Sequence, residues 1–325
     1  MDKILSSTAL DAPLHAFLAH QRALGRAYQN EEYVLRGLRN FLLSEHAAEL
    51  DQRVFDHWCE QIRHLAANTR RSRQLIVRKL CLYRRRSEPS CFVPDALYFA
   101  RPQPYRVPIV IEPRQVARML AHANAVAPSA NSPLRGPVLR LAVVLLYTTG
   151  LRRGELLRLR LSDVDAKGGV LQVRESKFHK SRLVPLSSST HRELRRYLRA
   201  RRAAGCDPRP NAPLLCNCSR GWRPYTGTGL SEGIRLLFEQ AGVRDAQGHC
   251  PCIHDLRHSF AVQALIRLYR SGADVQTGLP QLALYMGHVS IVSTAYYLHF
   301  VPKLATLASA RFARHCGHVL KDAVR

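Results

Sequence analysis

Five short segments of this chain hold residue types that could do chemistry together: TTGLRRGELLRL at 148–159, SKFHKSRLVPL at 176–186, HDLRHSFA at 254–261, MGHVS at 286–290 and STAYYLH at 293–299. Between them they supply arginines, a lysine, histidines and a tyrosine. Cutting a phosphodiester by transfer needs a nucleophile, neutralisation of a phosphorane-like state and a proton for the leaving oxygen. A planar guanidinium can grip two non-bridging oxygens and stays charged at any working pH. A histidine and a lysine can exchange protons near neutrality when a site perturbs them. A tyrosine is long and rigid enough to reach a phosphate lying on a protein surface and to leave a phosphotyrosine ester. That ester keeps the free energy of the broken bond, so rejoining needs no ATP.

The order and spacing TGLRxxE, a Lys before RLVPL, HxLRH, MGH and a Tyr nine residues after that His resemble the catalytic domain of the tyrosine recombinase (phage integrase) family, over roughly residues 110–310. The resemblance implies that Arg152 and Arg257 clamp the scissile phosphate and that His288 donates to it. It further implies that Lys177 protonates the 5′-oxygen, that His254 accepts the proton of Tyr297, and that Tyr297 is the nucleophile. Glu155 matches an acidic position that supports the site. Alternatives stay open for two of these. Lys180 stands three residues after Lys177, and Tyr296 and Tyr285 stand near Tyr297. His258 reads as a packing residue, and Arg153 as a surface neighbour of Arg152. Two features depart from the family pattern: Cys250 and Cys252 stand where a Pro is common before the His, and the SKFHK turn has no glycine.

The elements that must position these residues are mostly helices. Val34, Leu38, Phe41 and Leu42 recur at helical spacing after Asn30, Glu31 and Glu32; Phe55, Trp58, Ile62 and Leu65 make a second stripe. Thr69 is placed to cap a third helix carrying Ile76, Leu80 and Tyr83. That helix also carries Arg70, Arg71, Arg73, Arg78, Lys79 and Arg84 to Arg86, a run that reads as a DNA-contacting face. Four prolines in residues 101–113 mark a linker. Beyond it, helices are expected at 114–123, 137–148, 155–161, 230–241, 255–269, 279–286 and 302–315. Strands are expected at 170–175 and 182–186, and Thr190 with Glu193 reads as a capping box. The fold class is therefore mainly α, with a small antiparallel sheet in the catalytic half. The organisation is 1–100 as an N-terminal helical domain, 101–113 as linker and 114–325 as catalytic domain with a C-terminal tail helix. The resemblance implies that the first domain is a SAM-like core-binding domain that holds DNA.

Composition narrows the partners. The 325 residues carry a formal net charge of +25, from 49 basic and 24 acidic side chains. The first hundred residues hold 15 basic and 11 acidic groups, the remainder 34 and 13, so the excess sits in the second part. Double-stranded DNA is the expected partner. No apolar run is long enough for a membrane span, the N-terminus has no signal-peptide pattern, and nine scattered cysteines suit a reducing cytoplasm. The spacing of Cys216 and Cys218, and of Cys250 and Cys252, is poor for zinc, so neither metal nor cofactor is expected. The resemblance implies a synaptic tetramer on DNA. The tail residues Ala305, Leu307, Ala308 and Phe312 suit a helix that docks on a neighbouring protomer or covers its own core. Against strand exchange stand a non-catalytic DNA-binding protein, which needs no nucleophile, and a type IB topoisomerase-like enzyme with the same chemistry acting alone.

Overall fold

The computed structural model describes residues 7–104, 107–174, 181–217 and 221–287, together with 306, 309, 310 and 313. The chain divides into two compact units, 1–106 and 107–325. Lys177, His288 and Tyr297 lie outside the described residues, as does nearly all of the tail helix expected at 302–315.

Among the described residues the first unit holds four α-helices, α1 (Asp11–Ala23), α2 (Gln29–Ser44), α3 (Gln52–Gln61) and α4 (Ala67–Arg84), and a short 3-10 turn at Ala96–Tyr98. The stripe read from α2 is buried, with Leu38 and Leu42 fully enclosed against Leu35, Val77 and Leu80. The sequence pattern does not announce α1, whose apolar contribution is the short set Leu14, Phe17 and Leu18. Thr69 is not a cap. It lies inside α4, which begins two residues earlier at Ala67, and the Asn68 side chain faces a different task. Its amide donates to the Gln103 carbonyl and accepts from the Gln103 N–H, each at 2.9 Å. Residues expected to belong to the linker thus dock back onto α4. Phe99 joins the same core, and the Ala100 N–H donates to the Gln74 side chain.

The basic run of α4 is partly inward, contrary to its reading as one outward face. Arg84 is 8% exposed and is held by the carboxylates of Glu49 and Glu88. Arg71 and Arg78 donate to the carbonyls of Ala100 and Pro94. Lys79, Arg85 and Arg86 are the exposed cations of the series. A long side chain can lay its stem along apolar surface and spend its donors on backbone, which the charge count of a helix does not reveal.

The second unit is built around α6 (Arg135–Thr149), which is apolar on all sides and buries Val138, Leu139, Ala142, Val143, Leu145 and Leu146. A helix of that pattern belongs inside a core. It is surrounded by α5 (Pro113–Ala125), α7 (Arg153–Arg158), α8 (Ser188–Ala203), α9 (Gly227–Gln240) and α10 (Ile253–Arg270), and α11 (Val275–Met286) packs on α10. Three short antiparallel strands lie in the order β1 (Val164–Asp165), β2 (Val170–Val173) and β3 (Arg182–Pro185), with Val173 opposite Arg182. A separate two-stranded ribbon pairs β4 (Cys216–Asn217) with β5 (Arg223–Pro224). The start of this unit is anchored: the Ile111 N–H donates to the Ser259 hydroxyl at 2.8 Å and the Ile109 N–H to Asp255.

Helices expected from 230 and 279 begin earlier, at Gly227 and Val275, and two further differences have a clear physical cause. The helix expected to reach Leu161 stops at Arg158, because backbone groups beyond it pair with a distant segment. The Leu214 N–H donates to the Leu159 carbonyl, and the N–H groups of Leu161 and Ser162 donate to Ala212 and Pro210. The cap of α8 is Ser187, not Thr190: the Ser187 hydroxyl accepts from the Thr190 N–H. Thr190 instead turns its hydroxyl to Thr148 at 3.0 Å, and Glu193 pairs with Arg140. Ser187→Ala should therefore lower stability by about 1 kcal/mol in urea unfolding. A loss below about 0.3 kcal/mol would place the cap elsewhere.

Candidate active site

Gly150 ends α6 in the left-handed region at φ +62°, and a Cβ there would stand 2.5 Å from the Phe260 ring. The tight reversal delivers Arg152 to the start of α7. There its N–H and its Nη1 donate to the two oxygens of the Glu155 carboxylate, at 2.9 and 2.8 Å. Glu155 is 3% exposed and is shared. Arg182, the first residue of β3, donates Nη1 and Nη2 to the same carboxylate at 3.1 and 2.9 Å. Burial alone would raise the pKa of that carboxyl, but the bonds from Arg182 and Arg152 outweigh it and hold the value to about 2.

Arg257 enters from α10. The helix begins at Ile253, where Asp255 accepts from the Cys252 N–H at 2.8 Å. Arg257 is 1% exposed, and its Nη1 donates to the Gly150 carbonyl while Nη2 donates to the Met286 carbonyl at 2.9 Å.

A single helix end gathers these side chains. The last carbonyls of an α-helix have no partner within it, and its C-terminus carries partial negative charge. At the end of α11 three consecutive carbonyls are taken by three different arginines. Arg182 Nε donates to Tyr285 at 2.8 Å, Arg257 to Met286, and Arg152 Nη2 to Gly287 at 2.8 Å. Gly287 closes the helix at φ +67°, and a Cβ on it would come within 2.7 Å of Arg182 Nη1. Tyr285 braces the same corner, stacking on Phe260 and donating its hydroxyl to the Pro185 carbonyl.

His254 stands one turn before Arg257 on α10. Desolvation of its packed side and the charges of Arg257, Arg152 and Arg153 lower its pKa to about 4. At neutral pH the ring is uncharged and can accept a proton. His258 packs edge-on against it at 4.6 Å between ring centres.

The structure therefore brings Arg152, Arg257 and His254 together. Arg182 is the site residue that sequence reading passed over. It appeared there only as part of the RLVPL spacing mark, because its partners lie far away along the chain. Among the described residues, no cluster of three His, Cys, Asp or Glu side chains is placed to hold a metal ion. Cys252 serves as the residue preceding α10, and His249 pairs with Asp245.

Residues 110–303 match the model of the phage integrase family. A Sinorhizobium fredii protein named as an integrase/recombinase is 37% identical over 246 residues, covering 76% of this chain and 77% of that protein. The chain belongs to the phage integrase family. Tyrosine recombinase XerD of Ralstonia nicotianae is 28% identical over 266 residues, 81% of this chain and 80% of that one. The fold of this integrase-family chain is shared with solved recombinases. The Tn1549 transposon integrase, in complex with transposon right end DNA, superposes with a TM-score of 0.63 at 17% identity, over 93% of this chain and 99% of that one. The XerH site-specific recombinase, bound to its palindromic difH substrate, gives a TM-score of 0.57 at 20% identity, over 80% and 72% of the two chains.

Glu155→Gln should cost about 3 kcal/mol at pH 7, since two guanidiniums would lose their shared buried anion. The sign follows from the lowered value. The carboxylate's contribution is complete above its unfolded pKa of 4.5 and is lost as pH falls toward about 2. Urea unfolding across that window should show the wild type losing stability and the variant losing correspondingly less. A variant within about 0.5 kcal/mol of wild type at pH 7 would refute the shared-anion account.

Proposed function

We propose that this chain is a site-specific recombinase that cuts one strand of duplex DNA per protomer through Tyr297 and rejoins it to a new partner strand. The observation that carries the reading is the meeting of Arg152 and Arg257 on the consecutive carbonyls of Gly287 and Met286. These end the helix that leads directly into His288 and, nine residues later, Tyr297.

In the proposed reaction the Tyr297 oxygen attacks the phosphorus, the bond from phosphorus to the 5′-oxygen breaks, and a 3′-phosphotyrosyl ester forms. The phenol proton passes to His254, whose neutral ring can take it. Lys177 supplies the proton that the departing 5′-oxygen needs. Arg152, Arg257 and His288 neutralise the charge that accumulates on the non-bridging oxygens, as preorganised donors do in low-dielectric sites. Attack by a 5′-hydroxyl of another strand reverses every step and frees Tyr297. The ester preserves the energy of the bond, so integration, excision and resolution all run without a nucleotide cofactor.

The first unit fits a second grip on the same DNA, with Lys79, Arg85 and Arg86 as exposed cations on and beside α4. Strand exchange requires two duplexes cut at two sites, and four protomers supply the four active tyrosines in a synaptic tetramer.

On a nicked duplex carrying the target site, wild-type protein should yield a covalent adduct on a denaturing gel, and Tyr297→Phe none at unchanged DNA affinity. An adduct of normal yield from that variant would mean another nucleophile. Arg152→Ala should reduce single-turnover cleavage by at least about 100-fold. Recombinant product formed from two sites would separate strand exchange from simple relaxation of supercoils.

A further inference from the structure

Helix α8 carries six arginines and one glutamate in 16 residues. Its core side is Thr190, Leu194, Tyr197 and the buried Arg201, spaced at i, i+4, i+7 and i+11. Arg192, Arg195, Arg196, Arg199 and Arg202 are all exposed. At 100° per residue they fall within an arc of about 120° centred opposite the core side, and at 1.5 Å per residue they span about 15 Å. Like charges three and four residues apart repel. The helix has one carboxylate to offset them, Glu193, and Arg140 of α6 already engages it through two nitrogens at 2.7 and 2.8 Å. The contrast with α4 is direct: there buried and backbone partners take up Arg84, Arg71 and Arg78, whereas here the row is left facing solvent.

The position of the row separates it from the arginines already described. Thr190, near the start of α8, bonds Thr148, two residues before Gly150. Further along, Arg196 and Ala200 line a small cavity with Asn124 and Pro137, at the far end of α6 and on α5. The arginine row therefore begins beside the phosphate clamp and runs away from it along α6, which is about 22 Å long.

We infer that the outward face of α8 is a docking surface for the phosphate backbone of duplex DNA outside the cleavage point. The inference rests on the recombinase reading for the identity of the polyanion. A straight row of always-charged, planar donors suits a line of phosphates, and such contacts add affinity without sequence preference.

The test uses the full chain and a 40-base-pair duplex of random sequence, with the dissociation constant measured across a series of salt concentrations. Each lost phosphate contact reduces the slope of log K against log salt by about 0.9. Replacing Arg195, Arg199 and Arg202 together with glutamine should lower the slope by about 1 to 3 at an unchanged thermal midpoint. The Arg195→Lys, Arg199→Lys, Arg202→Lys variant keeps the charge and should retain the wild-type slope. A charge-matched control, with the exposed ion-paired Arg22, Arg63 and Arg235 changed to glutamine, should leave the slope unchanged.

Three results would each overturn the inference: an unchanged slope in the glutamine variant, an equal drop in the control, or an equal drop in the lysine variant. Polyglutamate whose binding alone depends on these arginines would assign the face to an acidic protein instead. Adduct formation through Tyr297 is scored separately. A normal adduct with an unchanged slope sinks only this inference, and a lowered slope without any adduct sinks only the recombinase reading.

Discussion

One buried carboxylate and one helix end hold the second unit's chemistry in place. Glu155 is enclosed, ionised and shared by Arg152 and Arg182, and those two arginines join Arg257 in taking the last three carbonyls of α11. Each guanidinium thus has a polar partner on at least two elements. A buried cation without such partners would carry a desolvation penalty of several kcal/mol. A carbonyl at a helix end, left dry, would carry its own. The two problems solve each other, and the solution fixes where α7, β3, α10 and α11 meet. That meeting point is where the segments carrying Arg152, Arg182 and Arg257 converge.

The arrangement also distributes protonation. Positive charge concentrated around Glu155 keeps that carboxyl ionised far into the acid range, and desolvation together with the same charge keeps the His254 ring neutral. An uncharged ring is able to accept a proton at neutral pH, and an ionised carboxylate is able to anchor two cations. One cluster of arginines contributes to both conditions, acting on two neighbours of opposite type.

Much of this was legible in the linear order. The apolar stripes of α2, the all-round apolar pattern of α6 and the strands flanking the 176–186 segment announce their elements, because periodicity reports burial directly. Arg152, Glu155, His254 and Arg257 could be picked out because the short segments that hold them, TGLRRGE and HDLRH, resemble motifs of the family. What the sequence concealed depended on partners distant along the chain. The early end of α7 comes from pairing with residues 210–214, and the role of Arg182 comes from a carboxylate 27 residues away and a carbonyl 103 residues away. The same blindness affected charge. A run of arginines in α4 and a run in α8 look alike as letters, yet the first is partly absorbed by Glu49, Glu88 and backbone oxygens while the second faces outward.

Gly150 and Gly287 close the ends of α6 and α11 with left-handed backbone, and each has a neighbour where a methyl group would have to go: a phenyl ring for one, the Arg182 guanidinium for the other. Neither glycine has a side chain, yet each presents a carbonyl that orients an arginine, Arg257 for Gly150 and Arg152 for Gly287. A genetic screen for inactive alleles would therefore be expected to recover these two positions alongside the reactive ones. Lack of room for a side chain, rather than reactivity, would be the property that these two alleles reveal.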